Sequence, residues 1–60
     1  MRLRCIENKR PSIMGTTKIE PLSINGVYCS IGGVHGNNIV VFDDSKVWDV
    51  YPIQWFIPVD

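Results

Sequence analysis

The stretch from Asn37 to Asp60 reads NNIVVFDDSKVWDVYPIQWFIPVD, and its alternation of apolar runs and short polar breaks decides the fold. Two runs rich in β-branched and aromatic residues, Asn38–Asp43 and Lys46–Tyr51, flank a polar Asp43-Asp44-Ser45 turn. This is the pattern of a tight β-hairpin. Pro52 then interrupts the second run, because proline has no N–H for a ladder and fixes φ, and Phe56–Val59 resumes an extended conformation. The one helical piece expected is a 3-10 turn at Pro52–Trp55. Ile39 and Val41 share one face of their strand and Val40 and Phe42 the other; Trp48 and Val50 face together, opposite Val47, Asp49 and Tyr51. A strand apolar on both sides, with no segment of helical periodicity anywhere, predicts an all-β chain folded as a small β-barrel.

The rest of the chain is consistent with that class. Sixty residues allow one domain, residues 1–60, with a small core. A composition 45% hydrophobic and 20% charged is that of a globular protein. Arg2–Glu7 alternates and predicts a first strand. Asn8–Thr17 (NKRPSIMGTT) reads as a long loop that folds back on the core at Ile13 and Met14. Lys18–Ile24 is ambiguous, with Pro21 arguing against a central strand, and Asn25-Gly26 is a tight-turn signal. Val27, Cys29 and Ile31 alternate against Tyr28 and Ser30, which predicts a strand over Val27–Ile31. Gly32–Asn38 reads as a loose hairpin connection.

Net charge is zero. That removes the broad positive field that drives nonspecific binding to nucleic acid or anionic lipid. No apolar run reaches membrane-spanning length, and the opening MRLRCIENKR lacks the apolar core of a secretory signal, so a cytoplasmic location is expected. Without such a signal, Cys5 and Cys29 read as free thiols buried on strands.

Residues Val50-Tyr51-Pro52-Ile53-Gln54-Trp55-Phe56 resemble the end of an SH3 domain, in which an aliphatic–aromatic–Pro run forms the last barrel strands around a 3-10 turn. Over most of its length the chain resembles the very small SH3-like proteins of bacteriophages and prophages. The matching segments are Arg4-Cys5-Ile6-Glu7-Asn8, Leu22-Ser23-Ile24-Asn25-Gly26-Val27-Tyr28, Val41-Phe42-Asp43-Asp44 and Tyr51-Pro52-Ile53-Gln54-Trp55-Phe56. The family's middle motif carries Gly-Lys where this chain has Asn25-Gly26, which leaves open whether Tyr28 or Cys29 points inward. The resemblance implies a five-stranded SH3-like barrel and a small accessory protein that takes part in host–virus interaction. It would work by protein binding in the host cytoplasm, modulating a host protein.

In SH3 domains the residues matching Pro52 and Trp55 line a groove for polyproline-II peptides, together with aromatics from the first long loop and from the start of the third strand. Here Asn8–Thr17 carries no aromatic and none stands just before Val40, so half of that groove is missing. Two arrangements remain for the surplus hydrophobes Tyr51, Ile53, Trp55 and Ile57. They form an exposed protein-binding patch beside the Asn8–Thr17 loop, or the Asn8–Pro21 segment covers them and they are core.

Chemistry of other kinds finds little support. His35 has no fixed partner, neither cysteine has a neighbouring activator, and Gly32-Gly33-x-x-Gly36 does not lead into a helix as a phosphate-binding loop must. A non-enzymatic chain without cofactors is the expectation. Asp43, Asp44 and Asp49 are too few to hold a divalent cation and read as turn chemistry, so no metal is expected. The alternative to protein binding is a nucleic-acid-binding barrel using Arg2, Arg4, Lys9 and Arg10, a basic first third set against the acidic last third; it lacks the interleaved aromatics that stack on bases. Self-association as a homodimer is a third reading, since edge strands and spare apolar surface favour it.

Overall fold

The computed structural model of the chain describes residues 1–12 and 14–59, and at Val34 the backbone alone. The chain is all-β. Its strands are β1 (Arg2–Cys5), β2 (Lys9–Pro11), β3 (Thr17–Ile19), β4 (Val27–His35), β5 (Asn38–Phe42), β6 (Trp48–Pro52) and β7 (Phe56–Val59), with a 3-10 turn over Ile53–Trp55. Five strands make one antiparallel sheet in the order β6-β5-β4-β1-β7, and β2 and β3 form a separate two-stranded sheet. The edges β6 and β7 do not pair with each other, so the five-stranded sheet is open.

The C-terminal hairpin forms where its apolar runs predict it. Ile39 pairs with Tyr51, Val40 with Val50 and Phe42 with Trp48. The loop between the strands is longer than the polar triplet suggests. Asp43 N–H donates to the Val47 carbonyl at 3.0 Å and Lys46 N–H to the Asp43 carbonyl at 3.0 Å, so β6 begins only at Trp48. Lys46 takes φ +65°, the left-handed conformation that closes such a loop. Pro52 still belongs to β6, where it needs no ladder donor at the sheet edge, and the chain turns immediately after it.

β4 is the long strand that holds the sheet together. Its first residues pair with β1 and its last with β5, and the register shifts between Ser30 and Val34. The Ser30 side chain bridges the irregularity: its hydroxyl donates to the Val40 carbonyl at 2.6 Å and accepts from Gly32 N–H at 3.0 Å. The expected loose connection over Gly32–Asn38 is therefore strand as far as His35. Only Gly36 and Asn37 form the turn, with Gly36 at φ +61° as the first residue of a tight two-residue hairpin loop requires.

The segment expected as a loop over Asn8–Thr17 is largely the β2–β3 hairpin, in which Lys9 pairs with Ile19 and Pro11 with Thr17. All of its strand residues are exposed, so no burial period marked them in the sequence. Met14 is 82% exposed and does not fold back on the core; Ile13, named with it, lies outside the described residues.

The core comprises Leu3, Cys5, Leu22, Tyr28, Ile39, Val41, Tyr51, Trp55 and Phe56. Alternation puts Leu3 and Cys5 inward on β1 and Ile39 and Val41 inward on β5. The Tyr51 ring stacks on Trp55 at 6.0 Å between centroids and meets Phe56 edge-on at 6.5 Å.

Candidate functional site

On β1 the two residues turned away from the core are Arg2 and Arg4. Register decides their neighbours. Arg4 lies opposite Ile57 of β7 on one side and Val27 of β4 on the other, while Arg2 lies between Val59 and Cys29. Directly opposed residues of an antiparallel pair share a face with Cβ atoms about 4.5–5.5 Å apart. The outer face of β7, β1 and β4 is thus a column of two arginines between two columns of small apolar side chains. Val27, Cys29 and Ile57 are exposed, and Val59 is half-buried. Ile31, 71% exposed, follows Cys29 along β4.

Tyr28 explains why β4 presents this side outward. The sequence left open which of Tyr28 and Cys29 points inward; Tyr28, with Ser30, is buried, and Cys29, expected as a buried thiol, is exposed. The Tyr28 ring enters the core beside Gly26, and its hydroxyl accepts from Ser23 N–H and donates to Asp44 Oδ2 at 3.0 Å. A Cβ at Gly26 would stand 3.0 Å from both the Tyr28 ring and the Ser23 carbonyl, so glycine in the Asn25-Gly26 turn makes room for the tyrosine. A buried phenol with its polar end satisfied outcompetes the smaller aliphatic residues for the inside position.

The four hydrophobes expected to form a contact patch are divided. Tyr51 is 1% exposed and Trp55 5% exposed, both core residues, whereas Ile53 at 41% and Ile57 at 46% remain accessible. The covered arrangement of the two is the one found for Tyr51 and Trp55. Part of that cover comes from the β2–β3 hairpin, whose Arg10 guanidinium lies 5.3 Å from the Trp55 ring centroid. A carboxylate fixes the guanidinium there, since Arg10 Nε donates to Glu20 Oε1 at 3.2 Å and Lys18 Nζ lies 3.8 Å from the same oxygen.

The basic residues are likewise divided. Arg2 and Arg4 stand on the outer face of β1, while Lys9 and Arg10 belong to the two-stranded sheet, with Arg10 engaged by Glu20 and Trp55. The four do not lie on a common strand or sheet.

The acidic residues serve the fold. Asp43 is buried, accepts from the Tyr51 hydroxyl at 2.6 Å and accepts Ser45 N–H at 2.9 Å, the bond of an Asx-turn. Asp44 Oδ2 accepts from Ser23 and Tyr28, and Asp49 Oδ1 accepts its neighbour's Val50 N–H at 2.7 Å. Among the described residues no group of three or more His, Cys, Asp or Glu gathers as metal ligands, and His35 is an exposed residue paired with Asn38 at the end of β4. Both cysteines are free. Burial pushes the Cys5 thiol up from its ordinary value, against a lowering hydrogen bond in which its Sγ donates to the Glu7 carbonyl at 3.2 Å.

Sequence reasoning named Arg2 and Arg4 for one surface and Ile57 for another, did not join them, and missed Val27 and Cys29 as their neighbours. The signal that would have found them is the Asn25-Gly26 turn itself, read as clearance for the aromatic two residues on. No helix of the described residues is long and apolar enough to cross a membrane. No family model, no curated protein and no solved structure matches this chain.

Proposed function

We propose that the chain is a non-enzymatic protein-binding module built as an SH3-like barrel, and that its contact surface is the outer face of β7, β1 and β4. What supports the barrel reading is the order of its parts. A first strand is followed by a long excursion with its own hairpin, then three antiparallel strands, a 3-10 turn, and a last strand that returns to pair with the first. β4 is shared between the two halves of the sheet through its register shift, which is how a short sheet bends toward closure.

The observation that carries the binding reading is the row arrangement of Ile57, Arg4 and Val27 beside Val59, Arg2 and Cys29. Arginine is enriched at protein interfaces because its stem packs against apolar neighbours while its fork makes several directional hydrogen bonds. The resemblance to small phage proteins gives the reading its biological form, an accessory protein that binds a host protein in the host cytoplasm and modulates it. Nucleic acid is the weaker reading for the same arginines, because the residues described beside them on this face, Val27, Cys29, Ile57 and Val59, include no aromatic side chain on which a base would stack.

Affinity capture from nuclease-treated bacterial lysate tests the proposal, comparing the wild type with a Val27→Asn/Ile57→Asn variant shown by circular dichroism to be folded. The expected result is one stoichiometric host protein held by the wild type and lost by the variant. Equal retention by the folded variant, or nothing held by the wild type, contradicts it. Wild type that instead sediments as a dimer, dispersed by the same substitutions, would assign the face to self-association.

A further inference from the structure

Resting on that reading, we infer that the partner segment seated on the β7–β1–β4 face is an acidic amphipathic helix whose two carboxylates, one helical turn apart, pair with Arg2 and Arg4 while its aliphatic side chains meet Val27, Cys29 and Ile57. The charge requirement follows from desolvation. Any partner that covers the apolar columns also takes the two guanidinium groups between them out of water, and an unpaired charge so buried opposes binding more strongly than the flanking aliphatic contacts favour it. A partner must therefore bring anions to the centre of the face and hydrocarbon to its flanks. Carboxylates suit the guanidinium fork, which they engage through two parallel hydrogen bonds. A phosphodiester backbone supplies the anions but leaves the columns of Val27 and Ile57 against sugar and phosphate.

The dimensions agree with a helix. Arg2 and Arg4 are two residues apart on one strand, which separates them by about 6.6 Å. Side chains four apart on a helix have Cβ atoms about 5–6 Å apart, a difference that two flexible arginine stems absorb. Three adjacent strands span about 10 Å, the width of one helix with its side chains.

The probe is a helical peptide of roughly fifteen residues, the length at which an alanine-rich helix begins to hold in water. It carries two Glu four apart with Leu on either side of them, and a second peptide has Gln in place of both Glu. Each is titrated into isotope-labelled full-length protein and followed by NMR. The expected result is that the Glu peptide shifts the resonances of Arg2, Arg4, Val27, Cys29 and Ile57 and binds at least about tenfold more tightly than the Gln peptide. Arg4→Gln should bring the Glu peptide down toward the Gln peptide and should not weaken the Gln peptide, which no longer covers an unpaired charge at that position. Equal binding of the two peptides at this face overturns the acidic helix and leaves the protein-binding reading standing. Absence of binding by the Glu peptide, shifts confined to another face, or tighter binding of an oligothymidylate overturns the inference as well. Lysate capture with Val27→Asn/Ile57→Asn then decides the broader reading independently.

Discussion

The Tyr51 hydroxyl donates a 2.6 Å hydrogen bond to Asp43 Oδ2, joining the end of β6 to the start of the turn that precedes it, with both residues buried. The same carboxylate accepts the backbone N–H of Ser45, so one side chain organises the turn and satisfies the phenol of the core. Tyr51→Phe removes the donor and leaves a buried carboxylate short of a partner. Loss of a hydrogen bond to a charged group predicts a destabilisation of about 2 kcal/mol, read from urea unfolding near neutral pH.

The same pair gives the protein an alkaline limit. Burial above all, and then the hydrogen bond to Asp43, keeps the Tyr51 hydroxyl protonated well above the ordinary tyrosine value of about 10. Above that pH the unfolded chain binds fewer protons than the folded one, so stability present in full below it declines as pH rises further. Urea midpoints measured on both sides of about pH 10 should fall less steeply with pH for Tyr51→Phe than for the wild type. Parallel slopes would remove Tyr51 as the source.

Gly26→Ala should destabilise by about 1–3 kcal/mol, the usual range for overpacking, because its Cβ would stand 3.0 Å from a backbone oxygen as well as from the Tyr28 ring. Near-ultraviolet circular dichroism of the folded variant should report a displaced tyrosine. A neutral substitution would mean that the turn relaxes freely and that Gly26 does not set the orientation of Tyr28.

Lys46 pays the conformational penalty of positive φ with a side chain that bears a Cβ. Lys46→Gly relieves about 1–2 kcal/mol of strain and returns about 0.5–1 kcal/mol through the greater freedom of glycine in the unfolded chain. A net gain of about 0.5–1 kcal/mol follows, seen as a melting temperature raised by several degrees. An unchanged or lowered melting temperature contradicts the strained loop closure.

The C-terminal hairpin was legible because two runs rich in β-branched and aromatic residues flank a polar turn and Pro52 punctuates the second. Trp55 and Tyr51 are a different case, since an exposed and a covered aromatic look alike in sequence, and part of the cover over Trp55 comes from Arg10 on a hairpin with no apolar period of its own. The orientation of β4 stayed open in the sequence for a physical reason. Hydrophobicity favours Cys29 and Ile31 as the inward pair, but Tyr28 and Ser30 bury polar groups whose partners, Asp44 and the Val40 carbonyl, lie elsewhere in the chain. The outer face depends on the register of three strands, of which β1 and β7 are distant in sequence, and no local pattern encodes it.

Cys29 supplies the most direct measurement of the claim that this face is the contact surface. In the free protein it is exposed on the outer face beside Arg2, whereas Cys5 is buried and its thiol pushed up by that burial, so a thiol reagent should label Cys29 alone until the protein unfolds. The labelling rate of Cys29 is measured free and in the saturated complex with the captured protein, with peptide mapping to assign the site. The account predicts that binding slows Cys29 to near the rate of Cys5. An unchanged rate in a saturated complex would contradict it and move the contact to another surface.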